Sequence, residues 1–119
     1  MKTTHNMNLN NGPFNRIKDG TKTIELRLND EKRQLLKEND FIEFTNRVTL
    51  EKIIVKIEGL YKYSNFKELY KHFDKISMGY DINDIANPED MEKYYSKEEQ
   101  DKYGVIGIEV RVIEDRKWE

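Results

Sequence analysis

Between Gly20 and Asp30 the chain reads Gly-Thr-Lys-Thr-Ile-Glu-Leu-Arg-Leu-Asn-Asp, which sets an amine, a carboxylate and a guanidinium beside an apolar alternation. A strand over Lys22 to Leu28 puts Ile24, Leu26 and Leu28 on one face and Thr23, Glu25 and Arg27 on the other, because side chains alternate with period two. Lys22 has the parity of the apolar face but opens the strand, so its stem can lie on the core's edge while its ammonium reaches over the rim. The three charged groups then meet at one mouth. There a partly buried Lys22 can act as a base or grip a phosphate, Glu25 can orient it, and Arg27 can hold a phosphate or carboxylate bidentately. The plainer role is a solvated strand whose Glu25/Arg27 pair is worth about 0 to 1 kcal/mol. Composition alone favours that role.

Further candidates lie around this stretch. Asn29, Asp30 and Arg33 have helix capping and surface charge as their ordinary roles, and a contact to phosphate as the functional one. Tyr61, Tyr63, Tyr94, Tyr95 and Tyr103 fall largely at periodic apolar positions and are expected in packing, whereas Tyr80 does not and is the tyrosine placed to stack on a base. Asp74, just past a helix, is either a buried acid or an ordinary helix-end residue. His5 is read as a core histidine with a satisfied partner. The sequence carries no Walker loop, dinucleotide fingerprint, zinc spacing or kinase signature.

With 119 residues the chain is expected to form one domain, residues 1–119, with one core. The absence of cysteine excludes disulfides, thiolate metal sites and thiol nucleophiles, and two histidines are too few for a histidine-based metal site. No apolar run approaches the roughly 18 residues of a membrane span, so a soluble cytoplasmic protein is expected. The net charge of −2 gives no general affinity for nucleic acid, but the charge is unevenly spread. Arg16 to Glu38 holds seven basic against five acidic residues, and Asp81 to Asp101 two against eight. An anionic ligand should approach the first region, and the second is expected to be a solvated helical surface.

The elements that would position these residues follow in chain order. Thr3 to Leu9 is expected as a strand, followed by a short helix opened by Pro13 with Phe14 and Ile17 at helical spacing and closed by Gly20. After the Lys22 strand, Glu31 to Leu36 reads as a short helical stretch with Leu35 and Leu36 turned inward. Phe41 to Thr45 and Glu51 to Tyr63 read as strands, the second long enough to need a bend near Gly59. Asn65 with Glu68 caps a helix bearing Phe66, Leu69, Tyr70 and Phe73 on one face. Ile76 to Ala86 is a loop, Asn87-Pro88 opens a helix with Met91, Tyr94 and Tyr95 on one face, and Ser96 with Glu99 caps another. Val105 to Ile113 is the last strand, and Trp118 can fold back from the tail. Strands that do not alternate regularly with helices argue for an α+β fold, a small mixed barrel of about five to six strands with helices packed on its rim.

Pro13-Phe14, Ile17, Gly20, Lys22, Glu25 and Arg27, then Asp40 before a strand and Tyr103-Gly104-Val105 leading into the last one, resemble the ASCH domain of the PUA-like superfamily. The most specific element is Gly-x-Lys-x-x-Glu-x-Arg in Gly20 to Arg27, and the resemblance covers nearly the whole chain. It implies a PUA-like barrel with a cleft beside the first helix and the Lys22 strand that binds RNA or a nucleotide. The Lys22 to Arg33 cluster then points to Lys22, Arg27, Asn29 and Arg33, with Tyr80, as the residues that meet the ligand. The resemblance reverses the preference for a surface role at Lys22. One branch of the superfamily hydrolyses acetylcytidine with a lysine, a threonine and a glutamate. Lys22 matches the lysine and Asp74 loosely matches the acid, but Glu25 stands in the threonine's place. Lys22, Glu25 and Asp74 are therefore the catalytic candidates for an alternative role as an amidohydrolase or ribonuclease. No cofactor or metal is implied, and a monomer is favoured.

Overall fold

The computed structural model describes residues 2–116. Five strands, β1 (Thr4–Leu9), β2 (Ile24–Leu28), β3 (Phe41–Asn46), β4 (Lys52–Tyr63) and β5 (Val105–Arg116), form one sheet in the order β1-β3-β4-β5-β2. Only β1 and β3 run parallel, and the sheet curls into a half-barrel with helices packed on it. The α+β expectation holds, with a five-stranded open barrel.

Helix α1 (Asn11–Lys18) begins two residues before Pro13. A proline is tolerated there because the first turn's N–H groups have no intrahelical acceptor. Phe14 and Ile17 bury themselves in the barrel, and Gly20, at φ +87°, ends the helix with its N–H on the Ile17 carbonyl at 3.1 Å. The chain then bends sharply. Lys22 donates its backbone N–H to Arg16 and the amides of Thr23 and Ile24 share the Ser77 carbonyl, so β2 starts at Ile24 rather than Lys22.

The long strand β4 bends as expected, with register shifts at Ile54/Val55 and at Ile57/Gly59. The second shift interrupts the alternation expected from Ile53 to Tyr63 and leaves Tyr61 exposed, its hydroxyl on Glu109 at 2.8 Å. Other expectations need correction. Leu36 is buried but Leu35 is 66% exposed, because Arg33–Leu35 forms only a 3₁₀ turn. The helix after Asn65 is a single turn, α2 (Phe66–Leu69), although Asn65 does accept from the Glu68 amide. Pro88–Lys93 is likewise 3₁₀, which turns Tyr94 outward while Met91 and Tyr95 stay partly covered. The Ser96/Glu99 capping box forms and opens α3 (Lys97–Tyr103). Trp118 lies outside the described residues.

Two apolar clusters flank β2. Phe14, Ile17, Ile42, Phe44, Ile106 and Ile108 belong to the one inside the barrel. Ile24, Leu26 and Leu28 join Phe66, Leu69 and Met78 in the other, beneath α2 and the loops. The β2 strand, an edge of the sheet, thus packs Ile24, Leu26 and Leu28 on one core and turns Glu25 and Arg27 toward the side of their partners Ile108 and Ile106. Glu25, opposite Ile108 in β5, is only 4% exposed.

Candidate functional site

A buried carboxylate needs charged partners, and Glu25 has two. Its Oε1 lies 3.1 Å from Lys22 Nζ, and its Oε2 accepts from Arg27 Nε at 2.6 Å. Arg27 Nη2 donates on to the Asn8 carbonyl at 2.8 Å, tying β2 to the end of β1, the other edge strand of the sheet. Burial by itself pushes the Glu25 carboxyl up, but Lys22 and Arg27 outweigh it and hold the group below its ordinary range. Glu25 is therefore an anion at neutral pH, clamped between two cations, and the triad keeps one positive charge in excess.

This triad forms the floor of a cleft of about 350 Å³, a volume in the range of small-ligand sites. One wall is the β1–α1 junction, from Asn8 to Pro13. The facing wall is the loop and 3₁₀ segment carrying Gly79, Tyr80, Asp90, Met91, Tyr94 and Tyr95. Arg16, Arg47 and Lys93 complete the rim, so five basic side chains line the cleft against two acidic ones.

Tyr80 holds the second wall together. Its hydroxyl lies 2.9 Å from that of Tyr70 and donates to Asp90 Oδ2 at 2.8 Å. Burial first, then the Tyr70 hydroxyl and the Asp90 carboxylate, push its pKa far above the usual phenol range. It is a fixed neutral donor and not a base. Burial also raises the Tyr95 phenol, which feels Arg27 and Glu25 from the floor and Arg33 and Asp30 from the other side. The acidic segment is not merely solvated, because Asp90 reaches the wall and Asp81 pairs with Arg16 at 2.7 Å.

Of the residues singled out in the sequence, Lys22, Glu25, Arg27 and Tyr80 line this one cleft. Asn29 and Arg33 do not line it. Arg33 pairs with Asp30 at 3.2 Å, and its Nε and Asn29 Oδ1 are buried without a hydrogen-bond partner among the described residues. Asp74 is exposed in the loop after α2 and contributes its backbone carbonyl to Ser77 Oγ, away from the cleft lining. His5 does find a partner, with Nε2 at 2.9 Å from the buried Asp40. The rim cations Arg47 and Lys93 carried no local signal, and Arg16 only the basic excess of its region, since only the tertiary fold brings three distant segments to one opening. Among the described residues no group of three acidic or histidine side chains is placed to hold a metal ion, and no helix is long and apolar enough to cross a membrane.

The hypothetical protein PH0355, seen in a crystal structure, is 31% identical and superposes with a TM-score of 0.79 over 93% of this chain and all of its own. PF0455 from Pyrococcus furiosus, solved in solution, is 27% identical with a TM-score of 0.67 over 93% of this chain and 98% of its own. The ASCH protein of Zymomonas mobilis shares the fold at 12% identity, with a TM-score of 0.68 over 97% of this chain and 73% of its own. No curated protein matches the sequence. The family model for the ASCH domain matches residues 7–114, and the chain belongs to the ASCH-domain family.

Proposed function

We propose that residues 1–119 act as a single-domain cytoplasmic monomer whose cleft binds a nucleotide or single-stranded RNA. The observation that carries this is a charge inversion: the chain has a net charge of −2, yet its cleft gathers five cations against two carboxylates. Such a concave positive spot draws and orients an anion. Lys22 and Arg27 meet phosphate at the floor, Glu25 keeps both in place, Tyr80 offers its ring face to a base, and Tyr94 and Tyr95 offer hydroxyls and ring faces. Membership of the ASCH family, whose PUA-like modules bind RNA, agrees with this.

A hydrolase at the same cleft is the alternative, and the buried Lys22–Glu25 pair at 3.1 Å is what favours it. Binding is preferred because a carboxylate whose pKa is held down accepts protons poorly, and because Asp74 lies elsewhere. Turnover of acetylcytidine or RNA by the wild type, absent in Lys22→Ala, would establish the hydrolase.

Fluorescence anisotropy with a labelled RNA hexanucleotide tests the binding role. Lys22→Ala should weaken binding about tenfold or more, since a hydrogen bond to a charged group contributes roughly 1.5–3 kcal/mol. Glu25 keeps Arg27 in this variant, and far-UV circular dichroism checks the fold. Arg47→Ala, at an exposed rim position, should lower the slope of log affinity against log salt by about one. Wild-type binding that is absent, or unaffected by salt and by Lys22→Ala, would end the proposal.

A further inference from the structure

The loop joining β3 and β4 spends conformational energy without an internal return. Within it, Arg47 to Leu50 are closed off by the Asn46 amide on Glu51 O at 2.8 Å and the Leu50 amide on Asn46 O at 2.9 Å. Leu50 has φ +63°, a backbone region where glycine or asparagine is ordinarily found and where a branched apolar side chain is strained. A strained leucine is usually retained for its packing, but Leu50 is 70% exposed and Val48 73%. Neither contributes to either core.

The loop is nevertheless rigidly mounted. Asn46 is fully buried, accepts from the amides of Val48 and Thr49 at 2.8 and 3.3 Å, and donates to Asn11 Oδ1 at the start of α1 at 3.0 Å. The Arg47 amide bonds the Leu9 carbonyl at 2.9 Å, and both Leu9 and Arg47 line the cleft. Two exposed aliphatic side chains are thereby fixed beside the cleft's positive rim, one on each side of Thr49 and directly after Arg47. Strain held in place by surrounding structure clusters where chains meet ligands.

We infer that the Arg47–Leu50 loop is a second subsite, taking the nucleotide next to the one in the cleft, so that the ligand is a single-stranded RNA and not a free nucleotide. Arg47 meets the connecting phosphate, and Val48 and Leu50 cover one face of the neighbouring base, a contact tolerant of sequence because every base has an apolar face. The inference rests on the cleft binding RNA as proposed above. An aliphatic pair alone fits many partners, but an aliphatic pair joined to an arginine that continues a cationic cleft fits a polyanion with flat apolar groups.

The test compares uridine monophosphate with a uridine hexanucleotide on wild type and on the double variant Val48→Ser, Leu50→Gly. Wild type should bind the hexanucleotide about tenfold tighter than the monophosphate, and the double variant should lose most of that advantage while binding the monophosphate unchanged. Leu50→Gly relieves the backbone strain, so the thermal midpoint should hold or rise, and lost affinity is then not unfolding. A double variant that keeps the hexanucleotide advantage overturns the inference while leaving the cleft proposal intact. Concentration-dependent self-association lost in the double variant, with RNA affinity unchanged, overturns it in favour of a contact between copies of the chain. Failure of wild type to bind either ligand removes both proposals together.

Discussion

Glu25→Ala should destabilise the fold by about 3–5 kcal/mol, the cost of stripping the partner from buried charges. Lys22 and Arg27 would stay largely buried at the cleft floor, with the Asn8 carbonyl still accepting from Arg27. Two cations close enough to share one carboxylate then repel each other in a medium that screens them weakly. Urea denaturation at neutral pH, read at constant slope, gives the loss directly. A loss below about 1 kcal/mol would mean that the triad behaves as an exposed surface pair.

The same comparison has a predictable pH dependence. The Glu25 carboxyl titrates below its ordinary value in the folded chain, so on acidification the unfolded chain takes up the proton first. Its contribution is complete above the unfolded pKa of about 4.3 and fades as pH falls from there through the lower folded value. The gap between wild type and Glu25→Ala should therefore be constant from neutral pH to about 5 and close below that. Asp40, held down chiefly by its hydrogen bond to His5, titrates in both proteins and cancels from the difference. A gap that widens on acidification would contradict the ion-pair assignment.

How much of this arrangement was legible beforehand depended on the range of the interaction. Period-two alternation placed Ile42, Phe44, Ile106 and Ile108 on the inner face, and local capping chemistry placed the ends of α1 and α3 at Gly20 and Ser96. Alternation could not say that the charged face of β2 is covered as well as the apolar one, because strand parity separates two faces without saying which of them meets water. Glu25 was thus recognisable as important only through its spacing from Lys22 and Arg27. Where a helix was expected from one apolar face, as after Asn65 and after Asn87, the chain makes one turn or a 3₁₀ segment. Tertiary contacts with the loop around Tyr80 decide the geometry there. The rim cations and the Asp90–Tyr80 bond join segments far apart in sequence, which no local pattern records.

Gly79→Ala should cost about 2–3 kcal/mol and weaken the RNA binding proposed for the cleft, because it imposes two separate penalties at one atom. Gly79 has φ +106°, a conformation that L side chains rarely adopt, in a turn fixed by its own amide on Ile76 and by the Tyr80 amide on Lys75, each at 3.0 Å. A Cβ there would also stand 3.1 Å from Lys22 Cδ and 3.6 Å from its Nζ. That is too tight for the stem to stay where Glu25 holds the ammonium. The strain belongs to the backbone and the crowding to Lys22, so the two separate in a double-mutant cycle. In a Lys22→Ala background the backbone penalty persists and the steric one disappears, so Gly79→Ala should cost less there than in wild type. Equal costs in both backgrounds would mean that the glycine serves the turn alone, and that Lys22 is positioned by Glu25 without help from the opposite wall.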